Sequence, residues 1–308
     1  MAVHYSNRDL HSTNVRMRSL KIKGTSLIIR GLWRCMPARM ERWVADKFFT
    51  PAGHAMTPGE RRWLNKAENF QITVNGHEIR CRKWGTGPGI LFSHGWNGRG
   101  ANFHAFFPPL IKAGFSVICF DAPGHGDSGG RLSNYFEFSD TVRALLTNAD
   151  LNIKGAIGHS VGAAALVNGL EKENLRIPAV LLAPAIDLKG ILVTTFNRFG
   201  IPVTILMRII KRLEDRLGYS LTDDNPARLI EKFDTEMVVV HDRRDRVIPF
   251  DAVEPHLRPH RHIRLHVTEG LGHKRILFDD GVIALVVTHL KLQLMSKYGM
   301  NEKRAAMA

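Results

Sequence analysis

The pentapeptide Gly158-His159-Ser160-Val161-Gly162 holds a serine in a setting where its hydroxyl could act as a nucleophile. The residues before it are apolar and typical of a strand, and those after it are small or apolar and typical of a helix. A serine on so tight a strand-to-helix turn adopts a strained backbone, and its flanking positions must be small because the two backbones nearly touch. The helix N-terminus beneath the hydroxyl would stabilise the anion that such a nucleophile generates. The alternative is a glycine-rich turn in which the serine only caps the helix.

Two loops later in the chain contain residue types that can activate a serine. Asp245 lies in the loop after the apolar run 237–240, and His273 lies in the loop after the alternating run 263–267. A serine hydroxyl is a poor nucleophile until a base removes its proton, which a histidine can do near neutral pH. A buried carboxylate fixes the tautomer of that histidine and stabilises its cation. The chain therefore supplies the residue types of nucleophilic acyl chemistry in the order serine, aspartate, histidine.

Short apolar runs alternate with helical patterns from about residue 68 onwards. Residues 70–74 and 77–84 alternate in polarity around Asn75-Gly76, which predicts an antiparallel hairpin. Five mainly apolar runs predict strands buried on both faces; they lie at residues 90–92, 115–120, 155–157, 179–182 and 237–240. Helices are predicted at about residues 102–113, 135–148, 250–257 and 275–298. This alternation predicts a mostly parallel sheet with helices on both faces and a functional site at the carboxyl ends of its strands.

Taken together, these motifs resemble those of the α/β-hydrolase superfamily over about residues 68–298. Beside the serine turn, the matching pieces are His94-Gly95, the Asp-x-x-Gly-His-Gly-x-Ser run at 121–128, the Asp-x-x-Ile-Pro run at 245–249 and Gly272-His273. All five occur in the expected order after predicted strands. The resemblance implies an α/β-hydrolase fold with a helical lid inserted into the core.

The resemblance also implies a role for each site residue. Ser160 would be the nucleophile, Asp245 the acid and His273 the base of a catalytic triad. The backbone N–H groups of Trp96 and Val161 would form the oxyanion hole that stabilises the tetrahedral intermediate.

Two other aspartates compete with Asp245 for the role of the acid. Asp187 follows the strand predicted at 179–182, a position where some members of this superfamily carry the acid. Asp242 lies closer to its own strand and could instead be structural. His241 beside Asp242 suggests a metal site, but no third ligand has a suitable spacing, so we expect neither a metal nor a cofactor.

The chain divides into segments by composition and motif content. Residues 1–67 are predicted to form a basic N-terminal arm, residues 68–184 and 231–308 the α/β-hydrolase core, and residues 185–230 the lid. The lid is rich in apolar residues, which would suit an acyl chain or another hydrophobic group.

The arm carries a large share of the charge. The net charge of the chain is +14, and half of it lies in residues 1–50, where ten Lys or Arg face three Asp or Glu. Residues 25–49 interleave basic side chains with apolar ones and two tryptophans, which predicts an amphipathic helix. This helix could lie on an anionic membrane surface or pack on the main domain. Nucleic-acid binding is not expected, because no basic–aromatic motif accompanies the charge.

Cysteine content and hydropathy bear on the compartment. The three cysteines are too few and too widely spaced for a disulfide framework, and no apolar stretch reaches the ~18 residues of a membrane span. No signal peptide is convincing. We therefore expect a cytoplasmic protein, with peripheral membrane contact as an open alternative.

The sequence predicts a serine hydrolase of the carboxylesterase, lipase or thioesterase type. Ser160 would attack an ester or thioester with a hydrophobic acyl or alcohol group, and water would release the acyl group from the enzyme. One alternative is an acyltransferase that uses the same triad with another acceptor. A second alternative is a ligand-binding protein with little turnover on a hydrolase scaffold.

Overall fold

The computed structural model describes residues 26–298 of the 308-residue chain. Contacts divide these residues into two units. The small unit comprises the described residues up to Phe48 together with Lys189–Gly218, and the large unit comprises Phe49–Leu188 together with the described residues from Tyr219 onwards. None of the helices in residues 26–298 is long and apolar enough to cross a bilayer.

The strands and helices are numbered in chain order. The strands are β1 (Glu68–Val74), β2 (His77–Trp84), β3 (Gly89–Ser93), β4 (Ser116–Phe120), β5 (Ile153–His159), β6 (Ala179–Leu182), β7 (Met237–Asp242) and β8 (Ile263–Thr268). The helices are α1 (26–35), α2 (Pro37–Phe49), α3 (Pro58–Leu64), α4 (Phe107–Lys112), α5 (Tyr135–Leu146), α6 (Val161–Lys172), α7 (Leu188–Arg198), α8 (Val203–Leu217), α9 (Pro226–Leu229), α10 (Phe250–Leu257), α11 (Gly272–Arg275) and α12 (Asp280–Tyr298). Short 3-10 turns lie at Gly100–Phe103, Ala149–Leu151 and Ile230–Lys232.

The strands of the large unit form one sheet in the order β1-β2-β4-β3-β5-β6-β7-β8. β2 pairs antiparallel with β1 and β4, and the other neighbours pair in parallel. The predicted hairpin is confirmed: Asn75 and Gly76 have φ angles of 50° and 78°, the left-handed conformation that a two-residue turn requires. This topology confirms the predicted α/β-hydrolase fold with a mostly parallel sheet.

The register of the parallel strands brings their carboxyl ends to one edge of the sheet. Ser93 of β3 is level with Gly158 of β5, and His159 of β5 is level with Leu182 of β6, which in turn faces Val240 of β7. Strands β3, β4, β6 and β7 are buried along their whole length, because apolar side chains cover both of their faces. The loops after β3, β5 and β7 therefore start next to one another.

Prolines explain two of the places where the helices differ from the sequence prediction. The continuous helix predicted at about 102–113 is wrong, because α4 begins only at Phe107. Pro108 and Pro109 lie in its first turn, where the backbone N–H that proline lacks would have no partner within the helix. The helix predicted over 25–49 is likewise two helices, since Pro37 begins α2. The last helix begins at Asp280 rather than near Arg275, which ends the separate short helix α11.

One buried carboxylate joins the helices of the small unit. Glu41 of α2 is 1% exposed and forms ion pairs with Arg208 Nε at 2.7 Å and Arg212 Nη2 at 2.5 Å, both on α8. The indole Nε1 of Trp33 on α1 donates a hydrogen bond to Glu41 Oε1 at 3.2 Å. A buried carboxylate is costly unless it is paired in this way. Glu41 therefore ties two helices before residue 50 to a helix of the insertion.

Candidate active site

The serine turn has the strained geometry that its glycines predict. Ser160 lies between β5 and α6 with φ 56° and ψ −124°, a conformation that a residue with a side chain rarely adopts. A Cβ atom on Gly158 would lie 2.5 Å from Ala163 Cα, and one on Gly162 would lie 2.2 Å from the carbonyl oxygen of His94. Only glycine fits at both positions, because the strand, the helix and the loop after β3 approach so closely.

Backbone hydrogen bonds fix both peptide groups of Ser160. Its N–H donates to the carbonyl oxygen of Leu182 at 3.0 Å, and its own carbonyl oxygen accepts from the N–H groups of Ala163, Ala164 and Ala185 at 3.1, 3.2 and 3.1 Å. These bonds maintain the strained φ angle. They hold the Ser160 side chain at the carboxyl edge of the sheet, where it is 8% exposed.

Asp245 and His273 form the hydrogen-bonded pair that the sequence places after β7 and β8. His273 Nδ1 donates to Asp245 Oδ2 at 2.7 Å. Asp245 Oδ1 accepts from the N–H groups of Val247 and Ile248 at 2.8 and 3.0 Å. Burial raises the pKa of Asp245, but the bonds from His273 and from these two amides outweigh it, so the pKa lies below its ordinary value. Asp245 is therefore an anion that orients the His273 ring through Nδ1. The other ring nitrogen, Nε2, takes no part in the hydrogen bond to Asp245.

His159 joins the serine turn to the His273 loop. Its Nε2 donates to the backbone carbonyl oxygen of His273 at 2.9 Å, and the two rings lie 4.7 Å apart between centroids. Burial, followed by the nearby His273 ring, lowers the pKa of His159 to about 3. The ring is neutral, and its proton lies on Nε2 because a carbonyl oxygen can only accept. The sequence identified His159 only as part of the turn, since no local pattern indicates this partner 114 residues away.

The loop after β3 runs directly against Ser160. A Cβ atom on Gly95 would lie 3.0 Å from Ser160 Cβ and 2.8 Å from His159 Nδ1. His94 anchors the loop, because its Nε2 accepts from Ala122 N–H at 2.9 Å while its Nδ1 donates to the Gly95 carbonyl oxygen at 2.8 Å. Burial lowers the pKa of His94 to about 4, which keeps the ring neutral. The loop conformation therefore rests on a histidine that serves as both donor and acceptor.

The two backbone amides predicted to stabilise an oxyanion belong to the residues that come directly after Gly95 and Ser160 in the chain. Trp96 comes after Gly95, and Val161 comes after Ser160 as the first residue of α6. Within residues 26–298, neither of their N–H groups donates a hydrogen bond. His125 supports the loop from the side: its Nε2 accepts from Asn97 N–H at 3.2 Å, and its ring stands edge-on to that of Trp96 at 5.1 Å. Two unused backbone donors are thus present at the carboxyl edge of the sheet.

Comparison with known proteins identifies the family. A model of the alpha/beta hydrolase family matches residues 90–285, which is more than half of the chain. The chain belongs to the alpha/beta hydrolase family.

Individual relatives match this chain at low identity or over only part of its length. A non-heme chloroperoxidase, CPO-A1, from Kitasatospora aureofaciens is 28% identical over 231 residues, which cover 58% of this hydrolase and 82% of the relative. A dihydrolipoyllysine-residue acetyltransferase component of an acetoin cleaving system from Pseudomonas putida is 37% identical over 99 residues, or 31% of this chain and 26% of the relative. Among solved structures, the Pyrococcus furiosus esterase Pf2001 is similar with a TM-score of 0.59 at 20% identity, covering 80% of this chain and 98% of that one. The family and its relatives support hydrolase activity in general, and the structural similarity shows the fold.

The run at 121–128 of this hydrolase orders a loop. Asp121 accepts hydrogen bonds from Gly100 N–H at 2.9 Å, Asp127 N–H at 3.0 Å and Arg82 Nη1 at 3.0 Å. Arg82 also forms an ion pair with the carboxylate of Asp127. No sequence signal at the motif indicates Arg82, which lies on β2, about 40 residues earlier in the chain. It stands between Cys81 and Lys83 in a predicted strand, and this local pattern gives no sign of a partner 39 residues away.

The two competing aspartates of the hydrolase have other partners. Asp242 accepts from Thr268 Oγ1 and Leu271 N–H, each at 2.8 Å, and from Gly270 N–H at 3.2 Å, so it fastens the loop that leads to His273. Burial raises the pKa of Asp242, but hydrogen bonds from the Gly272 amide, the Thr268 hydroxyl and the Arg244 and Leu271 amides outweigh it and lower the pKa to about 2. Asp187 Oδ1 accepts from Asn225 Nδ2 at 3.1 Å. Of the three aspartates, Asp245 is thus the one that accepts the hydrogen bond from His273.

His241 lies close to Asp245. Its Nε2 donates to the Ile248 carbonyl oxygen at 3.0 Å and lies 3.6 Å from Asp245 Oδ2. Burial lowers the pKa of His241, which keeps this ring neutral as well. In the part of the chain that the structure describes, no group of three or more His, Cys, Asp or Glu side chains is placed to hold a metal ion.

Proposed function

We propose that this hydrolase cleaves a carboxylic ester or thioester through an acyl-enzyme formed on Ser160. The observation that carries the proposal is the 2.7 Å hydrogen bond between His273 and Asp245, in a loop that His159 attaches to the serine turn. A strained serine, a histidine with one ring nitrogen occupied by a carboxylate, and two unused amides are the parts that acyl transfer to serine requires.

The proposed reaction proceeds in two halves. His273 Nε2 removes the proton from Ser160 Oγ as this oxygen attacks the carbonyl carbon, and the amides of Trp96 and Val161 donate to the resulting oxyanion. The intermediate collapses, and the alcohol or thiol departs with the proton from His273. Water then attacks the acyl-enzyme, His273 takes its proton, and the carboxylic acid is released as Ser160 recovers its hydrogen. No step in this sequence uses a cofactor.

A hydrophobic substrate is the second part of the proposal. Residues 185–230 include α7 and α8, whose sequences are rich in Leu, Ile and Val. We propose that this insertion acts as the lid predicted from the sequence and admits a hydrophobic acyl or alcohol group.

Acyl transfer to an acceptor other than water is the second candidate. The similarity to the acetyltransferase component from Pseudomonas putida favours it, although the match spans about a quarter of that protein. The same triad would form the same acyl-enzyme, and an alcohol or thiol would replace water in the second half. Product analysis with and without added alcohol or thiol distinguishes the two, because transfer yields a new ester or thioester.

A screen of p-nitrophenyl esters and acyl-thioesters of graded chain length tests the proposal. Turnover should be lost in Ser160→Ala and retained in Ser139→Ala, a matched control whose buried hydroxyl donates to the Tyr135 carbonyl oxygen within α5. A fluorophosphonate should label wild type and the control but not Ser160→Ala. Absence of both turnover and labelling in the wild type would favour a ligand-binding protein. A halide-oxidation assay with peroxide is a useful addition, because CPO-A1 is named a chloroperoxidase.

A further inference from the structure

The first helix of the small unit exposes an apolar face. Leu27 and Ile28 of α1 are 70% and 65% exposed, and Leu32 is 42% exposed. Residues 27, 28, 31, 32 and 35 lie on one side of a helix with 3.6 residues per turn, and Gly31 and Cys35 there are exposed too. Scattered exposed leucines are ordinary, but a continuous stripe of this kind marks a binding surface.

This face cannot turn inwards, because the opposite side of the helix is already in use. Ile29 is 7% exposed, and Trp33, four residues on, donates to the buried Glu41. The guanidinium of Arg208, itself paired with Glu41, lies 5.9 Å from the centre of the Trp33 ring. The contacts that hold α1 in the small unit therefore leave the stripe facing outwards.

The charges around the stripe have one sign. Every exposed charged side chain in residues 26–48 is a cation; these are Arg30, Arg34, Arg39, Arg42 and Lys47. The two carboxylates of this segment are less exposed than the cations, because Glu41 is buried and Asp46 is half-buried. On α2, Trp43 is 46% exposed four residues after Arg39 and next to Arg42. Tryptophan and arginine together are typical of the boundary between lipid headgroups and acyl chains.

We infer that the small unit binds the surface of an anionic lipid bilayer, with Leu27, Ile28 and Leu32 of α1 inserted among the acyl chains and the surrounding cations on the headgroups. Apolar insertion combined with attraction to anionic lipid is how interfacial helices bind. Nucleic acid would use the cations but leave the aliphatic stripe exposed. A second copy of the chain would bring two sets of cations together. The inference does not depend on the proposed ester chemistry.

Vesicle co-sedimentation of the full chain tests the apolar part. The double variant Leu27→Ser/Ile28→Ser should bind vesicles of phosphatidylcholine and phosphatidylglycerol at least about tenfold more weakly than wild type. The matched control is Leu292→Ser/Phe278→Ser, which removes side chains of similar exposure, 64% and 48%, from the large unit and should bind like wild type. Equal loss in both pairs, or no loss in either, would overturn the inference.

A charge-matched pair tests the electrostatic part. Arg30→Glu/Arg34→Glu should lower binding by more than about tenfold, because each cation near an anionic surface contributes. Arg61→Glu/Arg62→Glu on α3 changes the net charge by the same amount and should leave binding nearly unchanged. Vesicles of phosphatidylcholine alone should bind wild type weakly. Binding of a duplex oligonucleotide that needs Arg30 and Arg34 but not Leu27 would overturn the inference in favour of nucleic acid.

Three further measurements keep the outcomes distinct. Hydrolysis of a soluble ester and circular dichroism should be unchanged in all four variants, which shows that they fold. If the wild type hydrolyses no ester, the catalytic proposal fails while vesicle binding still decides this one. Light scattering that shows a wild-type dimer, converted to monomer by Leu27→Ser/Ile28→Ser, would assign the stripe to a second copy and overturn the membrane inference.

Discussion

Around Ser160 and His273, the buried polar side chains include neutral histidines and two aspartates, Asp242 and Asp245, that accept from backbone amides, whereas in the small unit a buried carboxylate faces two arginines. His94, His125 and His159 at the sheet edge have pKa values lowered to about 4, 3 and 3, chiefly by burial. Arg208 and Arg212 in the small unit are 57% and 62% exposed at their side chains. Backbone partners fix a geometry closely, while long cationic side chains tolerate adjustment. The difference fits the proposed catalytic site, which would have to hold atoms in place, and the proposed lipid-binding surface, which would have to adapt.

The largest expected effect separates the two aspartates beside His273. Asp245→Asn should lower kcat by about 10⁴-fold, because an amide holds the wrong tautomer of the base. Asp242→Asn should leave kcat within about tenfold of wild type but lower the free energy of unfolding, by about 2 kcal/mol near pH 7, since the pKa of Asp242 is lowered to about 2 in the fold. Steady-state kinetics and urea unfolding measure the two effects. A similar loss of kcat in both variants would contradict the assignment of Asp245 as the acid.

Acid should destabilise the sheet edge through its neutral histidines. The pKa of His125 is about 3 in the fold, lowered by burial and then by His94, against an ordinary value of 6.5. Below the ordinary value the unfolded chain gains a proton that the folded chain does not, so stability is lost as the pH falls. For His125 alone this loss is about 2 kcal/mol between about pH 7 and about pH 5.

The variant His125→Gln isolates this contribution. Its free energy of unfolding should depend less steeply on pH than that of wild type, because the variant takes up about one proton fewer on unfolding. Urea unfolding at several pH values measures the slope. An unchanged slope would mean that His125 is protonated in the folded protein.

His159 is expected to act as a positioning residue for His273. His159→Ala removes the donor to the His273 carbonyl oxygen and should lower kcat by about tenfold with little change in KM, because misplacement of a base slows chemistry more than binding. Fluorophosphonate labelling of Ser160 should slow by the same factor. His159→Gln retains an N–H donor and should recover part of the rate. A loss in KM alone, or no recovery with glutamine, would indicate a role in packing instead.

The strain at Ser160 gives a smaller effect on stability. Both Ser160→Ala and Ser160→Gly remove the hydroxyl, but only glycine adopts the φ of 56° without a Cβ clash. Ser160→Gly should therefore be the more stable of the two inactive variants, by about 1 kcal/mol. Thermal unfolding compares them directly. Greater stability of the alanine variant would show that the turn relaxes in solution.

Salt should weaken the ion pairs of Glu41 in the small unit slightly, without slowing ester hydrolysis. Screening of the half-exposed pairs at Glu41 is expected to cost less than about 1 kcal/mol. Limited proteolysis within residues 26–48 should accelerate at high salt, while hydrolysis of a soluble ester should keep its rate. If salt changed the rate of ester hydrolysis as much as the rate of proteolysis, the proposed difference between the catalytic site and the small unit would be contradicted.

Local pattern predicts much of the large unit. Apolar runs identified the strands, and Asn75-Gly76 identified the hairpin, because these signals lie within a few residues. The serine turn and the loops that carry Asp245 and His273 could be placed because parallel strands end at one edge. What the sequence could not predict depends on partners distant along the chain, such as Glu41 with Arg208 and Arg212. The breaks before α2 and within 102–113 were readable from the prolines, but the apolar periodicity obscured them.

The exposed stripe of α1 also provides a reporter for experiments. Of the three cysteines in the chain, Cys35 on this stripe is exposed, whereas Cys81 and Cys119 are buried. Burial raises the pKa of Cys81 to about 12 and that of Cys119 well above its ordinary value, so neither forms the reactive thiolate. A maleimide probe should therefore attach to Cys35 without any mutation. Its fluorescence or spin signal would report the depth at which α1 meets lipid, in the native chain and during turnover.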